Sequence, residues 1–182
     1  MKKYVNAEEN IDMLTSVQIA ALADIFENSE GMLPEENLEK AMRYYKMAAE
    51  MGDAYAQSAL ANAYTVGRDV EKSDESALCW YKKAAEQGNP YAQYELGKRL
   101  RDEDGGLLWL YLSSKQGFAA AMKELSDRLR NIDSKESKKW LRRYYRNRGK
   151  NDAWRWFGKK YVRELRRTLQ PEVIDGEVVI KI

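Results

Sequence analysis

Residues 73–100 read SDESALCWYKKAAEQGNPYAQYELGKRL, a pattern that predicts two amphipathic helices joined by a glycine hinge. Small and apolar side chains recur at helical spacing on one face of the first helix, at Ala77, Trp80, Tyr81, Ala84 and Ala85. Gly88 stands where a helix ends in the left-handed conformation, and Asn89 and Pro90 supply a cap and a first turn for the second helix. These residues predict a closely packed helical pair.

The same pattern occurs elsewhere in the chain. At a constant offset of 36 residues, an earlier unit carries it at Ala41, Tyr44-Tyr45, Ala48-Ala49-Glu50, Gly52, Ala56-Gln57, Leu60 and Tyr64. A third unit follows at an offset of only 29, from Trp80 to Trp109, and a fourth at 32, from Gly117 to Gly149. Self-similarity of this kind indicates a stacked-repeat fold, because each helical pair buries its apolar face only against its neighbours.

The residues that carry the pattern resemble the Sel1-like repeat (SLR) family, whose helical pairs are related to tetratricopeptide repeats. The matching residues are Ala77, Trp80-Tyr81, the run from Lys83 to Gly88, Ala92-Gln93 and Leu96-Gly97. The resemblance implies an all-α fold, a right-handed α-solenoid of four to five antiparallel helical pairs. It also implies a non-catalytic adaptor or scaffold that binds other proteins through a concave groove, and the family includes bacterial immunity proteins that mask a toxin.

The repeats divide the chain into units of unequal regularity. We expect one solenoid domain over residues 1–170 and a short non-helical tail over residues 171–182. The expected units of the solenoid are a degenerate repeat or N-terminal cap (1–33), two repeats (34–72 and 73–105), a short repeat (106–133) and a basic C-terminal repeat or cap (134–170).

The two ends of the chain carry weaker local signals. Capping boxes at Asn6–Glu9 and at Thr15–Gln18 predict helices that extend to about Leu14 and Asn28. In the tail, a turn dipeptide at Asp175-Gly176 lies between β-prone residues and predicts a small hairpin. Two roles remain open for this hairpin: it packs on the last helix, or it pairs with the sheet edge of a partner.

The composition excludes most catalytic and metal-binding arrangements. The chain has no histidine and a single cysteine, Cys79, so it has neither a histidine-based nucleophile nor a thiolate metal cluster nor an internal disulfide. Gly105-Gly106 lacks the spacing of a phosphate-binding loop. We therefore expect no enzyme activity, no metal and no cofactor. The longest apolar run, Leu107 to Leu112, is far shorter than the about 18 to 20 residues of a membrane span, and the N-terminal lysines precede no apolar segment, so we expect a cytoplasmic protein.

Charge is distributed unevenly along the chain. Residues 1–70 carry 6 basic and 12 acidic side chains, a net charge of −6, whereas residues 131–182 carry 15 basic and 7 acidic, a net charge of +8. A rod with oppositely charged ends steers a charged partner toward one end. The basic C-terminal end therefore predicts an acidic partner.

One candidate binding surface is an apolar strip. In the short repeat, Leu108 and Leu112 lie on the helix face opposite to the residues that contact neighbouring helices. With Tyr111, Trp140 and Tyr144, they are expected to line the concave groove. The equally weighted alternative is that the short connector draws the unit inward and buries the strip in the core. The third possibility is that the strip forms a homodimer interface.

A second candidate surface is basic and aromatic. Between Ser134 and Leu169 there are 14 basic and 3 acidic residues, interleaved with tryptophan and tyrosine. Arg142, Arg143 and Arg146 are the arginines expected to bind. Such residues form bidentate pairs with the carboxylates of an acidic protein, and they also stack on and neutralise single-stranded nucleic acid. The sequence therefore favours another protein as the partner, with nucleic acid as the second candidate, no membrane, and a monomer or weak homodimer.

Overall fold

The computed structural model describes residues 4–6, 11–28, 34–148, 172–174 and 177–181. Within these ranges the chain forms eight α-helices: α1 (Ser16–Asn28), α2 (Pro34–Glu50), α3 (Ala54–Val66), α4 (Asp74–Glu86), α5 (Pro90–Arg99), α6 (Gly106–Lys115), α7 (Ala119–Leu129) and α8 (Ser134–Asn147). Each helix packs mainly against the next one along the chain. This serial packing is that of an α-solenoid, and it confirms the predicted fold class.

Local signals in the sequence set the boundaries of these helices. Asp53 and Asn89 cap α3 and α5 by accepting hydrogen bonds from the backbone N–H three residues on, at 2.8 and 3.0 Å. Three glycines end the first helix of successive pairs with positive φ angles: Gly52 (95°), Gly88 (88°) and Gly117 (94°). The left-handed conformation is nearly free for glycine and strained for other residues, so the predicted hinges are confirmed.

Buried tyrosines repeat the same contact in successive units. The rings of Tyr45 and Tyr55 lie 6.1 Å apart, and those of Tyr81 and Tyr91, 36 residues later, lie 6.0 Å apart. The Tyr45 hydroxyl donates a 2.9 Å hydrogen bond to Glu27. Burial raises the pKa of Tyr45 well above its usual value, so this hydroxyl keeps its proton. The nearly equal ring distances, found 36 residues apart in the chain, confirm that the 36-residue period of the sequence is also a period of the structure.

A ladder of glutamine side chains connects the units. Gln57 donates to the Ala49 carbonyl at 3.1 Å and accepts a 2.8 Å hydrogen bond from Gln87 of the next unit. Gln93, at the equivalent position, donates to the Ala85 carbonyl at 3.2 Å and accepts a 2.8 Å bond from Gln116. Because each buried amide has partners on both sides, the ladder joins α2 through α6 without leaving these polar groups unsatisfied.

The short connector between α5 and α6 brings these two helices into close contact. A Cβ atom on Gly97 would lie 2.8 Å from Leu110 Cγ and 2.9 Å from the Leu110 nitrogen. A Cβ atom on Gly106 would lie 2.5 Å from the Leu100 carbonyl oxygen. Only glycine fits at both positions. Arg128 of α7 holds the connector by donating to the Leu100 carbonyl at 3.2 Å and to a carboxylate oxygen of Asp102 at 2.8 Å.

The two ends of the chain meet in a small antiparallel sheet. Its strands are β1 (Tyr4–Asn6), β2 (Glu172–Ile174) and β3 (Glu177–Lys181), in the order β1-β3-β2. The register places Val5 opposite Ile180, and Val173 opposite Val178. The predicted hairpin is therefore confirmed, and its longer strand is central, with β1 and β2 as the edges of the sheet.

The N-terminal strand corrects one local prediction. The helix expected from Asn6 to Leu14 is wrong at both of its described parts, because Asn6 lies in β1 and residues Ile11–Met13 form a single 3₁₀ turn. The second capping box is confirmed: the Thr15 backbone donates to Gln18 at 2.8 Å at the start of α1. The first helix of the last predicted unit is α8, and the second helix expected in that unit lies outside the described residues.

Candidate partner-binding site

An open pocket of about 590 Å³ lies where α6, α7 and α8 meet. It is lined by Leu107, Leu108, Tyr111 and Lys115 from α6, by Leu125 and Leu129 from α7, and by Asp133, Glu136, Lys139, Trp140 and Arg143 at the start of α8 and along it. Its floor is apolar and its rim is charged. This composition is typical of a site that takes an apolar group and fixes its orientation by polar contacts.

The helix α6 positions the most accessible apolar side chains of the pocket. Leu110 is fully buried against α5, which directs the side chains of Leu108 and Tyr111 away from that contact. Leu108 is 58% exposed and Tyr111 is 43% exposed. Both lie on the surface, so the collapse of this part of α6 into the core does not occur.

The rest of the predicted strip lies deeper in the structure. Trp140 is only 2% exposed, because it belongs to the core cluster that α6, α7 and α8 share. It forms a wall of the pocket and not an exposed ridge. Leu112 and Tyr144 are half-buried and do not line the pocket, and Tyr144 packs against the same core cluster. The pocket thus brings together four of the eight predicted binding residues: Leu108, Tyr111, Trp140 and Arg143.

Two aromatic rings and two cations form a row through the pocket. The rings of Tyr111 and Trp140 meet edge to face, with their centroids 5.8 Å apart and their planes at 84°. Lys115 Nζ lies 5.9 Å from the Tyr111 ring, and the Arg143 guanidinium lies 4.7 Å from the Trp140 ring. Both cations are within the range of a cation–π contact. The rings therefore hold each cation at the rim with its charge accessible.

The carboxylates at the rim are engaged within α8. Asp133 caps this helix by accepting 3.0 Å hydrogen bonds from the backbone N–H groups of Lys135 and Glu136. The Glu136 carboxylate accepts a 2.8 Å bond from Lys139. Among the described residues, neither Lys115 nor Arg143 forms an ion pair with a carboxylate. The pocket lining therefore keeps a net positive charge, three cations against two carboxylates.

A basic stripe continues along the solvent face of α8. Lys135, Lys138, Arg142 and Arg146 recur at spacings of three and four residues and are all exposed. In the part of the chain that the structure describes, none of these four is ion-paired to a carboxylate. Arg142 and Arg146 do not line the pocket, so the structure separates them from Arg143.

Sequence reasoning missed part of the pocket. Leu125 and Leu129 come from the second helix of their unit, which the repeat pattern assigns to the interior. Lys115 has no sequence signal that distinguishes it from the other lysines in the helices. The spacing of Leu125 and Leu129, one helical turn apart, is a signal that any buried helix also shows, so it does not distinguish a pocket wall from a core.

The described residues show few other features of a functional site. No group of three or more cysteine or acidic side chains among them is arranged to hold a metal ion. None of the helices in the described ranges has the length and apolar character required to span a membrane. Cys79 is exposed on α4.

Comparison with solved structures supports the fold. The Sel1 repeat protein from Oxalobacter formigenes is 20% identical, with a TM-score of 0.66 over 77% of this chain and 61% of that chain. The protective antigen c5321 of uropathogenic Escherichia coli, which displays an SLR fold, is 27% identical, with a TM-score of 0.64 over 75% of this chain and 32% of that chain. This chain thus spans less than two thirds of the length of either.

A more distant similarity is to the immunity protein Pa5087 from Pseudomonas aeruginosa. The two are 22% identical, with a TM-score of 0.40 over 71% of this chain and 64% of that chain. No curated protein sequence matches this chain.

The family model of the Sel1 repeat matches residues 19–53, 54–89 and 90–118, which together exceed half of the chain. Each matched repeat joins two helices that pack extensively together, α1 with α2, α3 with α4, and α5 with α6. The first two matched repeats therefore begin at α1 and α3, each one helix before the expected units 34–72 and 73–105, which begin at α2 and α4. Sel1 repeats are protein–protein interaction scaffolds. The chain belongs to the Sel1 repeat family.

Proposed function

We propose that this protein is a non-catalytic adaptor that binds a protein partner in the pocket between α6, α7 and α8, with the basic end of the solenoid as a steering surface. The observation that carries the proposal is the exposure of Leu108 and Tyr111 above an apolar floor. A contiguous exposed apolar surface is a mark of an interaction site. Its burial by a partner contributes about 25 cal/mol for each Å² removed from water.

The basic face of α8 supports the second part of the proposal. Arg142 and Arg146 are exposed and lie on the same helix as the pocket residues Trp140 and Arg143. Exposed charges of one sign raise the rate of encounter with an oppositely charged protein more than they raise its affinity. An acidic partner would therefore be steered to the end of the solenoid that carries the pocket.

Affinity capture with the immobilised full chain tests the proposal. We expect that Leu108→Asp loses the proteins that the wild type captures from a lysate of the source cell, because a carboxylate at this exposed apolar position prevents apolar contact. Met51→Asp is the matched control, because Met51 is 54% exposed and lies in the turn after α2, outside the pocket. Capture of the same proteins by both variants would contradict the pocket as the binding site. Circular dichroism checks that both variants are folded.

Nucleic-acid binding is the second candidate function, and the stripe of exposed basic side chains on α8 is the observation that favours it. Salt dependence separates the two candidates. Binding dominated by phosphate contacts weakens log-linearly with salt concentration, whereas an apolar pocket interface is only mildly sensitive to salt. Charge reversal at Arg142 and Arg146, which lie outside the pocket, would abolish nucleic-acid binding, and it would mainly slow the association of a protein partner.

A finer form of the proposal is that the chain is a bacterial immunity protein that masks a toxin. In that case the captured partner is an enzyme or pore-forming protein whose activity stops on binding. Co-expression provides the test: the wild type should protect cells from the partner, and Leu108→Asp should not. Protection by both would contradict masking through this pocket.

A further inference from the structure

We infer that the pocket binds an acidic segment of a partner protein, one in which carboxylate side chains flank a large apolar side chain. This inference rests on the proposed function and specifies the chemistry of its partner. The described structure provides three separate observations for it: the state of the rim carboxylates, the placement of the rim cations, and the apolar floor between them.

The rim carboxylates do not compete for the pocket's cations. Asp133 is occupied by two backbone N–H groups of α8, and Glu136 by Lys139. A capping carboxylate is held by the charge-assisted bonds that it accepts, so it stays in place when a ligand enters. The lining then keeps a net charge of +1, three cations against these two carboxylates, and Lys115 and Arg143 are its cations without a carboxylate partner among the described residues.

The two remaining cations are positioned before any ligand binds. Lys115 lies over the Tyr111 ring and Arg143 over the Trp140 ring. Trp140 is itself fixed in the core, which limits the movement of the guanidinium that stacks on it. A positioned arginine loses less conformational entropy when it binds a carboxylate, and its planar fork matches a carboxylate at two points.

The floor between these cations fits an apolar side chain. Leu107, Leu125 and Leu129 are buried or half-buried, and Leu108 and Tyr111 are exposed beside them. A large apolar side chain of the partner would cover the exposed faces of Leu108 and Tyr111. The carboxylates on either side of it would then reach Lys115 on α6 and Arg143 on α8.

Two other occupants fit these observations less well. Phosphate contacts dominate the binding of a nucleic acid, and the four leucines of the pocket lining provide no partner for them. A second copy of this chain would bring its acidic first 70 residues to the basic end of the first copy. Such a head-to-tail contact is heterologous and would build rings or filaments, whereas a stable dimer needs a self-complementary surface.

Fluorescence polarisation of the full chain with synthetic probes tests the inference. The main probe is a fluorescein-labelled peptide of sequence Glu-Glu-Leu-Phe-Glu-Glu. One comparison peptide has glutamine in place of every glutamate, and another has serine in place of the Leu-Phe pair. A labelled single-stranded oligothymidine is the third probe. The polarisation of each probe is followed as the protein is added up to a millimolar concentration.

Arg143→Gln and Arg142→Gln form the decisive pair of variants. The two residues are adjacent on α8 and their substitutions change the net charge equally, but only Arg143 lines the pocket. We expect Arg143→Gln to weaken binding of the main probe by about tenfold, the loss of a charge-assisted contact, and Arg142→Gln by less than about twofold. The glutamine and serine peptides should each bind more weakly than the main probe by a similar factor.

The outcomes that overturn the inference are distinct. Equal losses for the two variants, or tighter binding of the oligothymidine than of the main probe, would show that general charge or nucleic acid accounts for binding. Absence of any binding by the main probe would overturn the partner chemistry. If a Leu108-dependent protein partner were still captured in that case, the proposed function would stand. Self-association that Leu108→Asp abolishes, measured by light scattering, would assign the pocket to a second copy.

Discussion

The units α2–α5 and the units α6–α8 use the same repeat in different ways. In α2–α5, an offset of 36 residues relates side chains, caps and hydrogen bonds alike, from the tyrosine pairs to the inward-directed Gln57 and Gln93. In α6–α8, the offset falls to 29 and the polar cap is lost at α7, although Asp133 still caps α8. Phe118 precedes α7 where Asn89 precedes α5, and no side chain caps that helix.

This difference shows how a contracted repeat changes its packing. The helices α5 and α6 have 10 residues each where α3 and α4 have 13, and the connector is only one residue shorter. The two short helices approach so closely that Gly97 and Gly106 have no room for a side chain. The close approach buries Leu110 and leaves Leu108 on the opposite face without a covering helix. The regular units bury their side chains against one another, and the irregular unit presents a pocket. Substitutions at four places test this contrast.

The largest effect is expected at the contracted contact. Gly106→Ala should lower the free energy of unfolding by about 3 kcal/mol, because the new Cβ would meet the carbonyl oxygens of Leu100 and Arg101, which are backbone and cannot move aside. Gly88→Ala, at a regular hinge with open space around it, should cost only about 1 kcal/mol for its left-handed backbone. Urea denaturation measures both. Equal losses would show that the α5–α6 contact is not tight.

The second effect concerns the ladder that crosses both regions. Gln57→Ala and Gln93→Ala should each cost about 2 kcal/mol, because each removes two side-chain hydrogen bonds that are worth about 1 kcal/mol apiece. The Ala49 and Ala85 carbonyls keep a backbone donor, from Gly52 and Gly88. Equality of the two values is the informative result, since Gln93 bonds to the contracted unit and Gln57 to a regular one. A much smaller value for Gln93 would mean that the contraction breaks the ladder.

A smaller effect is expected where α7 holds the connector. Arg128→Met should cost about 1.5 kcal/mol, because this side chain is 21% exposed and bonds to Leu100 and Asp102 across the connector. Arg101→Met is the control: its side chain is 75% exposed, and surface ion pairs such as its own contribute less than about 0.5 kcal/mol. Hydrogen exchange of residues 100–105 should rise in the first variant and stay unchanged in the second.

The smallest effect on stability is expected on the outer face of α6. Leu108→Ala should change the free energy of unfolding by less than about 0.5 kcal/mol, as is usual for an exposed position. Thermal unfolding followed by circular dichroism provides the measurement. A loss of about 3 kcal/mol, typical of a core leucine, would place this face in the interior and remove the basis of the proposed site.

Much of the fold was predictable because repeat signals are local. The glycine hinges, the caps Asp53 and Asn89 and the small residues at the contacts each act within a few residues of themselves, and their recurrence identified the period. The β1 strand was not predictable: three residues carry too little pattern, and Tyr4–Asn6 is defined only by its pairing with β3, more than 170 residues away.

By itself, the sequence determined a row of helical pairs and the basic character of its C-terminal end, since periodicity and charge are properties of the chain. The tertiary structure alone decided which residues of that end are accessible. It buried Trp140, exposed Leu108 and Tyr111, and placed Arg143 in the pocket while leaving Arg142 outside it. The reason is geometric: neighbours one position apart on a helix point about 100° apart, so contact with the adjacent helices, and not residue type, assigns each to core, pocket or solvent.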